Sequence, residues 1–148
     1  MVGGQVVWEE TSTNLRRGKG SEEAAAPEVP SAADLKPAGT WKLPGDLGRR
    51  YGSVSGDLNP IHVHPLTARL FGFPSAIAHG MWTKARCLAA LEPRLPDAFS
   101  VEVAFKKPIL LPAQVQFVEG TDPDRTIRFG VRGVRKDEPH LDGRLIVG

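Results

Sequence analysis

The hydrophobic pattern changes period along the chain, and those changes divide it into predicted elements. Leu47, Tyr51 and Val54 recur at helical spacing behind Asp46, a residue suited to an N-cap, and predict a helix of about three turns running into Ser55-Gly56. Gly48 and Gly52 weaken that pattern, because glycine has low helix propensity. Asp57 to His64 cannot continue the helix: Pro60 lacks an amide proton and biases Asn59 away from helical dihedrals, so a stiff loop is expected. Pro65 suits the first position of a short helix carrying Leu66, Leu70 and Phe71 and closed by Gly72. The segment His79 to Leu91 is the most strongly patterned helix. Its Met81, Trp82, Ala85, Leu88, Ala89 and Leu91 cover so wide a face that burial on more than one side is expected.

At Phe99 the period falls to two. Phe99, Val101, Val103 and Phe105 alternate with Ser100, Glu102, Ala104 and Lys106, the signature of a half-buried strand. Further strands are predicted at Ile109 to Leu111, Val115 to Glu119, Thr126 to Val134 and Arg144 to Val147. A buried helix followed by a run of antiparallel strands implies an α+β fold in which the sheet wraps the helix. Upstream, Gln5 to Thr13 reads as a short strand-like segment, since Val6, Val7, Trp8 and Thr11 favour a pleated surface. From Arg16 to Gly39 the composition shifts to Gly, Pro, Ala, Ser and charge. The expected organisation is a strand-like segment over residues 1–18, a linker over 19–39 and one domain over 40–148.

Composition narrows the function classes. The 148 residues allow one domain with an appendage, and 41% hydrophobic with 24% charged residues is ordinary for a water-exposed globular chain. No apolar run approaches the roughly 20 residues of a membrane-spanning helix, so no membrane association is expected. Lys and Arg total 19 against 17 Asp and Glu, with basic residues scattered, so there is no support for nucleic-acid binding. One cysteine, Cys87, cannot close an intrachain disulfide, and the first ten residues lack the features of a secretion signal; a reducing, cytoplasmic setting is expected.

The densest polar constellation is Ser55-Gly56-Asp57-Leu58-Asn59-Pro60-Ile61-His62, which puts a carboxylate and an imidazole on one proline-stiffened turn. Acid–base chemistry needs such a pair, because histidine titrates near neutrality and a carboxylate can orient it or share a water with it. The same residues fit a structural role, with Asp57 capping a turn, Asn59 making an Asx-turn and His62 simply packed. Downstream, Ala78-His79-Gly80-Met81 opens the buried helix. Its unpaired N–H groups could hold a carbonyl oxygen that gains negative charge, and Gly80 leaves room for a substrate to approach; Gly80 could equally serve packing alone. His62-x-His64 has the alternation of a metal-ligand pair, but a third protein ligand would have to come from Asp57, His79 or a distant residue and no zinc-type cysteine spacing exists, so neither a metal nor a cofactor is expected. Cys87 lies inside a helix and reads as core rather than nucleophile. The Lys106-Lys107 pair reads as a solvated strand end that could meet the phosphates of a carrier.

With these residues in view, Trp41 to Gly148 resembles the MaoC-like dehydratases, which include the R-specific enoyl-CoA hydratases of the hydratase 2 family. The resemblance centres on Tyr51-x-x-x-Ser55-Gly56-Asp57-x-Asn59-Pro60-Ile61-His62, followed by Ala78-His79-Gly80-Met81 and by Val103 to Pro112. It implies a hot-dog fold, with an antiparallel sheet around the helix His79 to Leu91. It also implies reversible hydration of trans-2-enoyl thioesters, carried by coenzyme A or acyl carrier protein, to (3R)-3-hydroxyacyl thioesters. Asp57 and His62 would hold the catalytic water and Gly80 N–H would form the oxyanion hole, with Asn59 shaping the loop and Asn59, His79 and Met81 lining the substrate site. Two other readings stay open, a hot-dog thioesterase and a non-catalytic acyl-binding fragment. Residues Val7 to Gly18 resemble the closing strand of a preceding, degenerate hot-dog half, so this chain reads as a short form or a piece of a longer enzyme. Activity is then expected to need a homodimer that replaces the missing half.

Overall fold

The computed structural model describes residues 4–13 and 28–147. Five antiparallel strands form one sheet in the order β1-β3-β4-β5-β2: β1 (Lys36–Leu43), β2 (Phe99–Phe105), β3 (Ala113–Thr121), β4 (Ile127–Gly133) and β5 (Pro139–Val147). Four helices lie between β1 and β2 in sequence: α1 (Leu47–Ser55), α2 (Pro60–Val63), α3 (Pro65–Leu70) and α4 (Gly80–Leu91). The sheet and the central helix match the expected α+β class.

Alternation along β3, β4 and β5 gives the sheet two different faces. Val115, Phe117, Phe129, Val131, Leu141 and Leu145 point to one side and meet Cys87 and Leu91 of α4 in the apolar core. Gly143 faces the ring of Phe129, where a Cβ would overlap it, so a glycine in the strand makes room for the largest core side chain. Cys87 is fully buried, and burial pushes its thiol up to about 12; it is a packing residue, as the sequence implied.

The opposite face carries Val118, Gly130 and Asp142, and the segment preceding β1 covers it. Ala32 is fully buried over Gly130, and its N–H donates to Asp142 Oδ1 at 3.1 Å. Arg128 on β4 clasps Asp34 through both carboxylate oxygens at 2.9 and 2.8 Å and also donates to Ser31 O. The expected linker over 19–39 is therefore corrected at its C-terminal end: residues 29–35 pack on the domain, and Lys36 to Gly39 already belong to β1. The composition hid this strand because Pro37 and Gly39 are poor strand residues. β1 is an edge strand with a bulge between them, where proline costs no ladder hydrogen bond. The first part of that expected linker, residues 19–27, lies outside the described residues.

Other boundaries shift for similar reasons. Ile109 to Leu111 forms no strand; it contributes only an isolated bridge between Leu110 and Ile77. Residues 6–13 take no part in the sheet, leave Val6, Val7 and Trp8 more than 60% exposed, and touch the domain through Glu10, 3.5 Å from Lys84 on α4. The central helix buries Thr83, Cys87 and Leu91, one stripe rather than the two sides expected; Met81, Ala85 and Ala89 are exposed. On α3, Leu66 and Leu70 are likewise exposed.

If residues 28–35 are part of the domain, Ala32→Asp places an unpaired charge beside buried Asp142. Loss of roughly 3 kcal/mol or more is expected in urea unfolding, whereas a linker residue would tolerate the change.

Candidate active site

The site is built where the loop after α1 doubles back over that helix. Gly48 and Gly52 lie one helical turn apart on α1 and both are buried. A Cβ on Gly48 would overlap the carbonyl of His62, and one on Gly52 would sit 2.8 Å from the carbonyl oxygen of Asp57. The two glycines that weaken the helix in the sequence are thus what allows the loop backbone to lie directly on it. Gly56, at φ 78°, takes the left-handed turn that ends α1.

Local hydrogen bonds then shape the loop. Asp57 Oδ1 accepts from Asn59 N at 3.2 Å, and Asn59 Oδ1 accepts from Ile61 N at 3.3 Å, capping α2 at Pro60. The structural reading of Asp57 and Asn59 as turn-forming residues is correct, and it leaves Asp57 Oδ2 pointing toward His79 at 3.7 Å. His64 does not converge with His62. Its Nδ1 accepts from Leu66 N at 3.1 Å and caps α3.

Two carbonyls settle the histidine tautomers. His62 Nδ1 lies 2.8 Å from Ile77 O, and because a carbonyl only accepts, Nδ1 carries the proton and Nε2 keeps its lone pair. His79 Nε2 lies 2.9 Å from Asp57 O, so by the same argument it is the protonated nitrogen and Nδ1 is bare. His79 is the N-cap residue of α4, buried at 3% exposure, with its Nδ1 unpartnered and sealed from solvent. Its ring stacks on His62 at 3.8 Å and meets Tyr51 edge-on at 4.9 Å. Burial, outweighing the hydrogen bond to Ile77, pushes the His62 imidazole below its ordinary range. His62 is therefore a neutral base at physiological pH.

Asp57, His62 and His79 each offer a donor atom within 4.8 Å of the others. As a metal cage the group is poor: His62 Nδ1 and His79 Nε2 are committed to carbonyls and His79 Nδ1 is inaccessible, leaving fewer than the three protein ligands of a catalytic zinc site. As a water site it is well spaced, since one water making two hydrogen bonds of about 2.8 Å bridges acceptors at such a separation.

A cavity of about 280 Å³ opens beside His62 and is lined by Gly80 together with the apolar side chains of Phe73, Ile77, Phe105 and Ile109. Gly80 is the first residue of α4, whose leading N–H groups have no partner within the helix. The ring of Phe105 lies 3.0 Å from where a Gly80 Cβ would be, so this glycine both admits a ligand and accommodates the phenyl wall. Of the residues singled out in the sequence, His62 and Gly80 line the cavity and Asp57 and His79 stand against His62. Asn59 is turned to its capping role, and Met81 is 45% exposed and does not line the cavity. Phe105, Thr83 and His140 line it without having been singled out; His140 shares the period-two face of β5 with buried Asp142, a signal that alternation alone does not tie to chemistry.

The MaoC-like domain model matches residues 35–138, which begins beside the first residue of β1 and contains the whole loop and both ends of α4. The chain belongs to the MaoC-like domain family. Across 145 residues it is 41% identical to 3-hydroxyacyl-thioester dehydratase X of Mycobacterium tuberculosis, spanning 95% of this chain and 50% of that protein. It is 30% identical over 105 residues to 3-hydroxybutyryl-CoA dehydratase of Methylorubrum extorquens, spanning 66% of this chain and 67% of that protein. The crystal structure of HtdX from M. tuberculosis superposes with a TM-score of 0.70 at 43% identity, over 74% of this chain and 46% of that one. The (R)-hydratase from A. caviae superposes at 0.61 over 84% of this chain and 100% of that one; at 18% identity this is likeness of fold alone. The sheet around α4 is therefore the hot-dog fold, and this MaoC-like chain spans about half the length of its mycobacterial relative. Among the described residues no helix is long and apolar enough to cross a membrane.

In this MaoC-like site, Gly48→Ala should push the loop off α1, costing about 1–3 kcal/mol and lowering turnover about 10²-fold by misplacing Asp57 and His62. Thermal unfolding and steady-state rates on the same sample test it. Because the folded His62 holds its proton less tightly than the unfolded chain does, stability from this group is present above the ordinary histidine pKa and lost as pH falls. The acid limb of kcat/KM should likewise lie below about pH 6.5, read from a pH–rate profile.

Proposed function

We propose that this chain catalyses reversible syn hydration of trans-2-enoyl thioesters to (3R)-3-hydroxyacyl thioesters. The observation that carries the reading is a neutral His62, its Nδ1–H given to Ile77 O, with a ring nitrogen within 4.8 Å of an Asp57 carboxylate oxygen on the wall of an apolar cavity that Gly80 at the start of α4 also lines. The 41% identity to a protein named 3-hydroxyacyl-thioester dehydratase supports it.

The thioester carbonyl oxygen sits against the N–H of Gly80, where the helix N-terminus stabilises the negative charge that develops as water adds. His62 Nε2 accepts a proton from the water held between it and Asp57, and the hydroxyl oxygen bonds to the β-carbon. The double-bond electrons pass to the α-carbon and carbonyl, giving an enolate. The proton then moves to the α-carbon on the same face, so the site ends as it began. Asp57 stabilises the transient imidazolium, and the two groups titrate as a coupled pair. His79 is a positioning residue, holding Asp57 O and stacking on His62.

The working form is a homodimer in which a second copy takes the place of the other half of the longer relatives. Phe105 is 50% exposed beside the cavity, and Met81, Ile146 and Val147 add exposed apolar surface on α4 and β5. Buried Cys87 fits a reducing, cytoplasmic setting.

Loss of enoyl absorbance with crotonyl-CoA should be seen with the parent and fall 10²–10⁴-fold in Asp57→Asn and His62→Ala, roughly the worth of one acid–base group, with circular dichroism unchanged. Chiral analysis should give the 3R alcohol, and light scattering should give twice the chain mass. Near-parent turnover in either variant would remove the assignment; release of free thiol would replace hydration with hydrolysis.

A further inference from the structure

Five consecutive residues, Phe105 to Ile109, line the reaction cavity, and His140 meets them from β5. β2 ends at Phe105, opposite Leu141. Beyond it the backbone makes two more bonds to β5, Lys106 N to His140 O at 3.0 Å and Lys107 N to Pro139 O at 3.1 Å. Pro108 has no N–H with which to extend that pairing. There the side chain of His140 takes over: its Nδ1 lies 3.0 Å from Lys107 O, and because a carbonyl only accepts, Nδ1 is the donor. His140 is buried, and its Nε2 faces Glu138 at 3.9 Å. The other end of the same wall is tied to the catalytic loop. Ile109 O accepts from Ala78 N at 2.9 Å, Leu110 bridges Ile77, and Leu111 N donates to Ala76 O at 2.7 Å. Ile77 in turn donates its N–H to Ile61 O at 3.0 Å and accepts from His62 Nδ1 at 2.8 Å. The carbonyl that fixes the His62 tautomer is thus carried on backbone paired to residues 109–111, which run on directly from the stretch that His140 holds.

We propose that His140 is a positioning residue for the reaction: by holding Lys107 O it fixes the cavity wall from Phe105 to Leu111, and through that wall the Ile77 carbonyl that orients His62. The inference rests on the hydratase reading above. A reacting group has to be held within a narrow range of geometry, and hydrogen bonds that lock its supporting backbone supply that constraint. The part of His140 that matters is the Nδ1 donor, not the bulk of the ring. Asparagine carries an amide N–H at the same number of bonds from Cβ, whereas leucine fills similar volume with no donor.

The test compares His140→Asn and His140→Leu with the parent, by crotonyl-CoA turnover and by the nitrogen chemical shifts of the His62 ring, assigned from the signals lost in His62→Ala. The parent should show a single His62 tautomer, protonated at Nδ1. His140→Asn should keep that tautomer and a kcat within about two-fold of the parent, whereas His140→Leu should mix the tautomers and lower kcat about ten-fold, short of the roughly 10²-fold that an ångström of misplacement costs. A single His62 tautomer in His140→Leu overturns the proposal, as does a parent-like kcat there or an equal loss in both variants. Should His140→Leu not fold, His140→Asn decides alone: a parent-like tautomer and kcat support the proposal, and loss of either overturns it. A parent that turns over no enoyl thioester defeats the hydratase reading, and the tautomers then decide the wall separately. Mixing in His140→Leu with one tautomer in His140→Asn supports the link from His140 to His62; any other pattern refutes it.

Discussion

Two hydrogen bonds from imidazole nitrogens to backbone carbonyls hold the site together. His62 donates to Ile77 O and His79 donates to Asp57 O, so each histidine is locked in one tautomer by a carbonyl that belongs to the other histidine's neighbourhood. The pairing ties the loop after α1 to the approach to α4, and the stacked rings at 3.8 Å close the join. The crossing commits His62 Nδ1 and His79 Nε2 to the backbone and seals His79 Nδ1 in the interior.

The crossing is possible only because backbone can approach backbone. Gly48 and Gly52 remove the side chains that would keep the loop away from α1, and the loop then makes its own turns through Asp57 and Asn59. Helix propensity is given up at both glycines in exchange for placing a carboxylate and an imidazole within reach of one water. The sheet uses glycine in the same way. Gly143 admits the Phe129 ring on the core face and Gly130 admits Ala32 on the other, so the segment before β1 can close over the sheet.

That covered face contrasts with the side of the molecule where α4 and β2 lie. There Met81 and Phe105 stand exposed close to the cavity, on a chain about half as long as its mycobacterial relative. Asp57, His62, His79 and Gly80 all come from this one unit, and the apolar surface beside the cavity is left uncovered within it.

The elements with strong periodicity were legible in the sequence: α1, α3, α4 and strands β2 to β4 fall close to where their apolar spacing puts them, and the loop motif named Asp57 and His62, which the fold brings together. These depend on local steric and hydrophobic rules, which act between residues near one another in the chain. β1 was not legible, because an edge strand satisfied by β3 tolerates Pro37 and Gly39 that would break an interior one. Nor was the role of His140, whose neighbours Lys107 and Glu138 reach it by different routes. The sequence by itself determined which groups could do acid–base chemistry and on what kind of fold. Only the tertiary structure decided which nitrogen of each histidine is bound to a carbonyl and which glycines admit backbone. Those outcomes depend on carbonyls and side chains from distant segments meeting within hydrogen-bonding distance, and sequence spacing carries no measure of that approach.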